Sequence, residues 1–153
     1  MKRVVLLFLV ACMSAISLFA GKLPKGVGKT RRAVASVVTY KQGVMLQSGT
    51  AVFAGSNSDL IAPYSLFVGA DSAVVIDYKG VVRPVKNIVG VNEMFDCIRV
   101  RVATDKKVKP LAISATPVVE GETLYQIGYG IGNSGFVEEV SVERVDSVYY
   151  YAD

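Results

Sequence analysis

From residue 33 onward, apolar and polar positions alternate with a period of two instead of recurring every three or four. That is the period of a pleated strand with one face buried, so the body of the chain predicts β-structure. The expected strands are 33–40, 44–46, 49–54, 60–62, 73–78, 81–89, 97–102 and 123–128, with two more at 136–142 and 147–151. Valine dominates these runs and tyrosine supplies much of the aromatic share, and both suit a half-buried pleated surface. Turn residues separate the runs at short spacing, at Lys41-Gln42-Gly43, Gly55-Ser56-Asn57, Lys79-Gly80 and Val91-Asn92. Only 63–68 reads as a helical turn, with Pro63 early, where helices tolerate it. Many short strands at regular spacing predict an antiparallel barrel or sandwich. Along 97–102, Ile98, Val100 and Val102 share with Asp96 the face predicted to point inward, while Arg99 and Arg101 face outward.

The start of the chain breaks this pattern. Lys2 and Arg3 precede an apolar run at 4–19 interrupted only by Ser14 and Ser17, and Ala20-Gly21 offers small residues for cleavage. This is the layout of a secretory signal peptide, and the run is shorter than the ~20 residues of a membrane span. The expectation is a mature chain from about Gly21 with no stable membrane span, periplasmic or secreted. Leu-Val-Ala-Cys at 9–12 also matches a bacterial lipobox, so the alternative is a lipoprotein anchored at Cys12. Loss of 1–20 leaves Cys97 as the single cysteine, which excludes an internal disulfide. Within an apolar strand Cys97 reads as a small packed hydrophobe. A nucleophilic thiol calls for a neighbouring imidazole, and the chain contains no histidine.

The formal charge of +4, from 17 basic and 13 acidic residues, gives no case for nucleic acid. Lys2, Arg3, Lys22, Lys25, Lys29, Arg31 and Arg32 all precede Ala33, so the body holds ten basic residues against all thirteen acids. The basic stretch at 21–32, interspersed with Gly21, Pro24, Gly26 and Gly28, reads as a flexible leader. Gly-Val-Gly-Lys-Thr at 26–30 imitates the end of a phosphate-binding loop but lacks the earlier glycine and the preceding strand. With no histidine and one mature cysteine, zinc is excluded, no oxygen-ligand loop for calcium is evident, and no cofactor is expected.

Three segments carry a family resemblance: Ser-Gly-Thr-Ala-Val-Phe at 48–53, Leu-Ile-Ala-Pro-Tyr-Ser-Leu-Phe-Val-Gly-Ala at 60–70, and Phe-Asp-Cys-Ile-Arg-Val-Arg-Val at 95–102. They resemble trypsin-like serine peptidases in the bacterial HtrA-type version. That family has a Gly-rich strand, then a segment bearing the general-base histidine, then an acid about thirty residues on that orients it. By this resemblance Asp96 stands where the acid belongs and Ser65 where the histidine belongs. The resemblance runs from about Ala33 to Tyr129, and 117–130 is similar to the family segment that crosses into a second barrel. It implies an all-β fold: an antiparallel six-stranded trypsin-like barrel plus the first strands of an incomplete second barrel. The implied layout is a signal peptide at 1–20, the leader at 21–32, the first barrel at 33–116, and the crossover with a partial second barrel at 117–153. The family's nucleophile loop comes later than this, so the chain reads as a shortened copy.

Gly132-Asn133-Ser134-Gly135 matches the tetrapeptide around the family's nucleophile, but it follows the crossover directly and continues as Phe136-Val137. Ser134 is therefore read as a turn residue and a decoy. A triad needs an imidazole to take the nucleophile's proton near neutral pH, and a serine hydroxyl cannot do so. Enzymes supply roughly 10⁶-fold acceleration or more, whereas a broken triad retains about 10³–10⁴. The expectation is a pseudo-protease exported to the bacterial envelope that binds a protein or peptide. The alternatives are a truncated fragment of a larger trypsin-like peptidase or an atypical serine hydrolase. Asp96 is expected to be a buried carboxylate accepting from backbone N–H groups or from Ser65, itself a core hydroxyl. Ser147, Val148, Tyr149, Tyr150 and Tyr151 are expected to form an exposed strand edge that recruits a partner strand or a second copy.

Overall fold

The computed structural model describes residues 24–55, 58–103, 108–130, 135–145 and 150–152. Six strands close into an antiparallel barrel: β1 (Val34–Lys41), β2 (Val44–Phe53), β3 (Asp59–Pro63), β4 (Ser72–Ile76), β5 (Val82–Asn92) and β6 (Cys97–Val102). The order around the barrel is β1-β2-β3-β6-β5-β4, with β4 returning to β1. A second sheet, in the order β7-β8-β9, is made by β7 (Thr123–Tyr129), β8 (Gly135–Val145) and β9 (Tyr150–Ala152). The fold is thus the all-β barrel with a partial second sheet.

Alternation does what the pattern predicts inside the barrel. Ala35 and Val37 of β1, Ala51 and Phe53 of β2, Leu60 and Ala62 of β3, Val75 of β4, and Ile98, Val100 and Val102 of β6 meet in one buried cluster. Arg99 and Arg101 lie on the outer face. Strand β1 departs from alternation, with Val34–Val38 buried on both faces. Its outer face is in contact with β7, so it packs against two layers.

Several boundaries differ from the expected ones. The runs 44–46 and 49–54 are one strand, because Gln47 and Ser48 pair with Thr39 and Val38 of β1 despite their polarity. Val91 and Asn92 remain in β5, paired with Ile98 and Cys97, and the turn falls at 93–96. The register of β5 with β6 shifts twice along this length, between Val85 and Asn87 and between Ile88 and Gly90. The leader, expected to be flexible, forms α1 (Lys25–Thr30) and a 3-10 turn, Arg31–Ala33, pinned by buried Val27 and Ala33. The helical turn expected at 63–68 is a 3-10 turn over Tyr64–Phe67. The run 136–142 lengthens at both ends into β8, and β9 reaches one residue beyond the run 147–151, to Ala152. Ser147, Val148 and Tyr149 lie outside the described residues, as do the signal segment with Cys12 and the Ser134 turn.

Between β4 and β5 the chain turns through Asp77–Val81. After β6 it passes along the barrel wall, where the Leu111 N–H donates to the Phe53 carbonyl at 2.9 Å. The second sheet docks where Thr50 of β2 meets β7: Tyr129 N–H donates to Thr50 Oγ1 at 2.8 Å. Gly128 makes this approach possible, since a Cβ there would lie 2.9 Å from Thr50 Oγ1 and 2.8 Å from Phe136 Cζ.

Candidate functional site

The 3-10 turn Tyr64–Phe67 follows directly from β3, whose last residue, Pro63, pairs with Cys97 at the start of β6. That register brings the residue before β6, Asp96, beside Ser65. The Tyr64 N–H donates to the Asp96 carbonyl at 3.0 Å. The Ser65 N–H donates to Asp96 Oδ1 at 2.6 Å and the Ser65 hydroxyl to Oδ2 at 2.9 Å. Both carboxylate oxygens are therefore engaged by one residue 31 positions away. The turn is held on its other side by β2. Gln47 Nε2 donates to the Ser65 carbonyl at 3.4 Å, and Leu66 lies over Gly49, where a Cβ would come within 2.6 Å of Leu66 Cδ1. A side chain at 49 would require Leu66 to shift. Beside it, the negative charge of Glu93 raises the Tyr64 phenol above its ordinary value, with burial and a hydrogen bond to Glu93 acting in the same direction.

Two placements correct the sequence reading. Asp96 is not the inward first residue of a strand. It is exposed, in the turn before β6, with φ of 46°, a left-handed conformation that Asp tolerates better than most residues. Alternation does not carry through a turn residue, so Asp96 does not share the face of Ile98. Ser65 is likewise exposed and is no core hydroxyl. Cys97 is free and half-buried at the edge of the core. Ser134 lies outside the described residues.

The buried charge lies elsewhere. Asp59 at the start of β3 is fully buried, yet it bonds two half-exposed guanidinium groups. Arg99 Nη2 donates to its Oδ2 at 2.6 Å, while Arg101 donates through Nε to Oδ1 at 2.7 Å and through Nη2 to Oδ2 at 3.1 Å. The hydrogen bond from Arg101 holds the Asp59 carboxyl at about 2, overcoming the burial that opposes it, with Arg99 adding to the effect. Asp77 and Arg83, both buried, form a second pair at 2.7 Å across the β4–β5 turn. Burial pushes Asp77 up, but N–H groups of Val81 and Lys79 and the Arg83 guanidinium outweigh it, and its pKa is lowered. Sequence reading placed Arg99 and Arg101 outward but did not pair them. The available signal was one acid opening a strand, with arginines two apart on a later strand facing the same way. Among the described residues, no three metal-ligating side chains gather.

Chemically, the Ser65–Asp96 pair is a hydroxyl donating to a carboxylate. It fixes the turn to the β5–β6 connection. The serine oxygen is a very weak base and cannot do the work of an imidazole.

No family model matches the chain, and no curated protein does. Among solved structures, it is similar to the HtrA-type protease AlgW with tripeptide, at a TM-score of 0.70 and 18% identity, covering 80% of this chain and 40% of that one. A variant of AlgW, also with tripeptide, matches at a TM-score of 0.70 and 17% identity, covering 82% of this chain and 43% of that one. The barrel and its following sheet therefore have the trypsin-like fold of HtrA-type proteases. The chain spans about two fifths of the length of these neighbours.

Proposed function

We propose that this protein is a catalytically inactive trypsin-like barrel, a pseudo-protease that acts by binding protein or peptide. The observation that carries this reading is the bond from the Ser65 hydroxyl to Asp96. It engages the carboxylate that, by the family resemblance, would orient a histidine, in a chain whose sequence contains none. The trypsin-like fold and the tripeptide present with both solved neighbours support retention of binding without chemistry. Export to the bacterial envelope belongs to the same reading and rests on Lys2, Arg3 and the apolar run after them.

The partner enters by strand addition. Among the described residues, β9 pairs with β8 alone, so its other edge has N–H and C=O groups for an added strand, from a peptide or from a second copy. The test of the catalytic half is direct. The purified chain is incubated with denatured casein and with a fluorophosphonate serine probe. Neither cleavage nor labelling is expected, and Ser65→His alone restores neither. Stoichiometric labelling of Ser134 would sink the reading in favour of an atypical hydrolase.

A further inference from the structure

A cleft of about 320 Å³ opens where three separate parts of the chain meet. The 3-10 turn after α1 contributes Arg32, the β4–β5 turn contributes Asp77, Tyr78, Lys79 and Val81, and the segment after β6 contributes Lys109, with Arg83 of β5 also in the wall. It shares no residue with the Ser65–Asp96 pair. Four of its lining residues are cations and one, Asp77, is an acid.

That acid is already committed. Asp77 Oδ1 accepts the N–H groups of Lys79 at 2.8 Å and Val81 at 2.9 Å, and Oδ2 accepts Arg83 Nη1 at 2.7 Å. Asp77 and Arg83 cancel one another. Arg32, Lys79 and Lys109 are left with no carboxylate partner among the described residues. Three like charges around one cleft repel each other, and a bound anion reverses the sign of that interaction.

Arg83 supplies a second, independent observation. Its side chain is only 7% exposed, and its Nη1 is spent on Asp77 and on the Val81 carbonyl at 3.3 Å. Its Nε–H is buried without an acceptor. Buried donors are nearly always satisfied, so a fixed guanidinium with an unused N–H in the wall of a basic cleft is a donor awaiting an acceptor.

We propose that this cleft binds a phosphoryl anion, held by Arg32, Lys79 and Lys109 and anchored by the guanidinium of Arg83. Donors contributed by three separate segments suit the several oxygens of a tetrahedral anion better than the two coplanar oxygens of a carboxylate. Guanidinium forks and ammonium groups are the usual partners of phosphate. The volume lies near the lower end of ligand pockets, roughly 300–1,000 Å³, which suits a phosphate monoester. The Lys79 ammonium lies over the Tyr78 ring of the same wall, 5.5 Å from its centroid.

The same chemistry is presented by a soluble phosphate monoester and by a lipid headgroup, and the experiment separates them. The full chain is titrated calorimetrically with inorganic phosphate at constant ionic strength, against chloride. It is also mixed with phosphatidylcholine vesicles with and without phosphatidic acid. Saturable phosphate binding is expected, at least tenfold weaker in Lys79→Ala/Lys109→Ala, whose exposed positions leave the circular dichroism spectrum unchanged. Vesicle retention that phosphate displaces assigns the headgroup as the source; phosphate binding without vesicle retention assigns a soluble monoester. No saturable phosphate binding, or binding equal in the double variant, overturns the site. So does vesicle retention that phosphate fails to displace, which is diffuse attraction to the basic surface.

Discussion

Strand β6 alternates apolar and polar residues throughout, β8 does so only over Val140–Glu143, and the structure treats the two strands differently. In β6, Ile98, Val100 and Val102 are all buried, at 1%, 0% and 3% exposure. In β8, eleven residues long, only Val142 is buried, while Phe136, Val137, Val140 and Val145 are half-exposed. The difference is closure. In the barrel each inward side chain meets others from across the ring, and every strand has a hydrogen-bonded neighbour on both sides. The sheet β7-β8-β9 is open and touches the barrel chiefly through β7 against β1 and β2. Alternation supplies an apolar face, and an opposing layer is what buries it.

The sharpest way to break this comparison is to cut the two cores in turn. Phe53→Ala empties the centre of the barrel and is expected to cost about 3–5 kcal/mol, a large share of a domain's stability. Val142→Ala removes two methyl groups at about 0.8 kcal/mol each and is expected to lower hydrogen-exchange protection in β7 and β8 without touching the barrel. Equal loss in both regions would show that the sheet and barrel unfold as one unit.

The docking of the two regions is next in size. Thr50→Val keeps the shape of the side chain but removes the acceptor of the Tyr129 N–H, a part-buried bond whose loss should cost about 1 kcal/mol. Amide exchange at Tyr129 should rise while that of β4 stays unchanged. Gly128→Ala should have the same signature, by pushing Phe136 and Thr50 apart.

Acid tests the charge pairs of the barrel. Asp59, lowered from its ordinary 3.8 to about 2, contributes stability that is fully present above pH ~4 and lost as pH falls through about 2. Unfolding midpoints measured across that window should fall with pH in the wild type and less steeply in Asp59→Asn. A slope unaltered by the substitution would place the acid sensitivity elsewhere, with Asp77 the next carboxylate to examine. The smallest effect is expected at Ser65→Ala, which removes one exposed hydrogen bond to Asp96 and leaves the backbone one in place. Chemical denaturation should register less than about 0.5 kcal/mol. At the β9 edge, light scattering should find a chain ending at Gly130 more monomeric than the full chain, and clean monomers for both would mean that the edge is covered.

Much of the barrel was legible in the sequence because its signal is local. The inward face of Ile98, Val100 and Val102 follows from period-two alternation, and all three are buried. Turn residues such as Gly43 and Gly80, both at positive φ, mark where strands end. What a strand's neighbours supply was not legible. Gln47 and Ser48 look like a break until β1 is seen pairing with them, and β1 is buried on both faces only because β7 crosses it. The nearness of Ser65 and Asp96 was readable only through family resemblance, and the exposure of both came from the turns that hold them. The pairings of Asp59 with Arg99 and Arg101, and of Asp77 with Arg83 inside a basic cleft, were not read from the sequence at all. Side-chain periodicity is a property of consecutive residues and is set by the sequence alone. Burial, charge pairing and the cleft depend on strand register and barrel closure, which bring together residues tens of positions apart, and those were decided only by the tertiary structure.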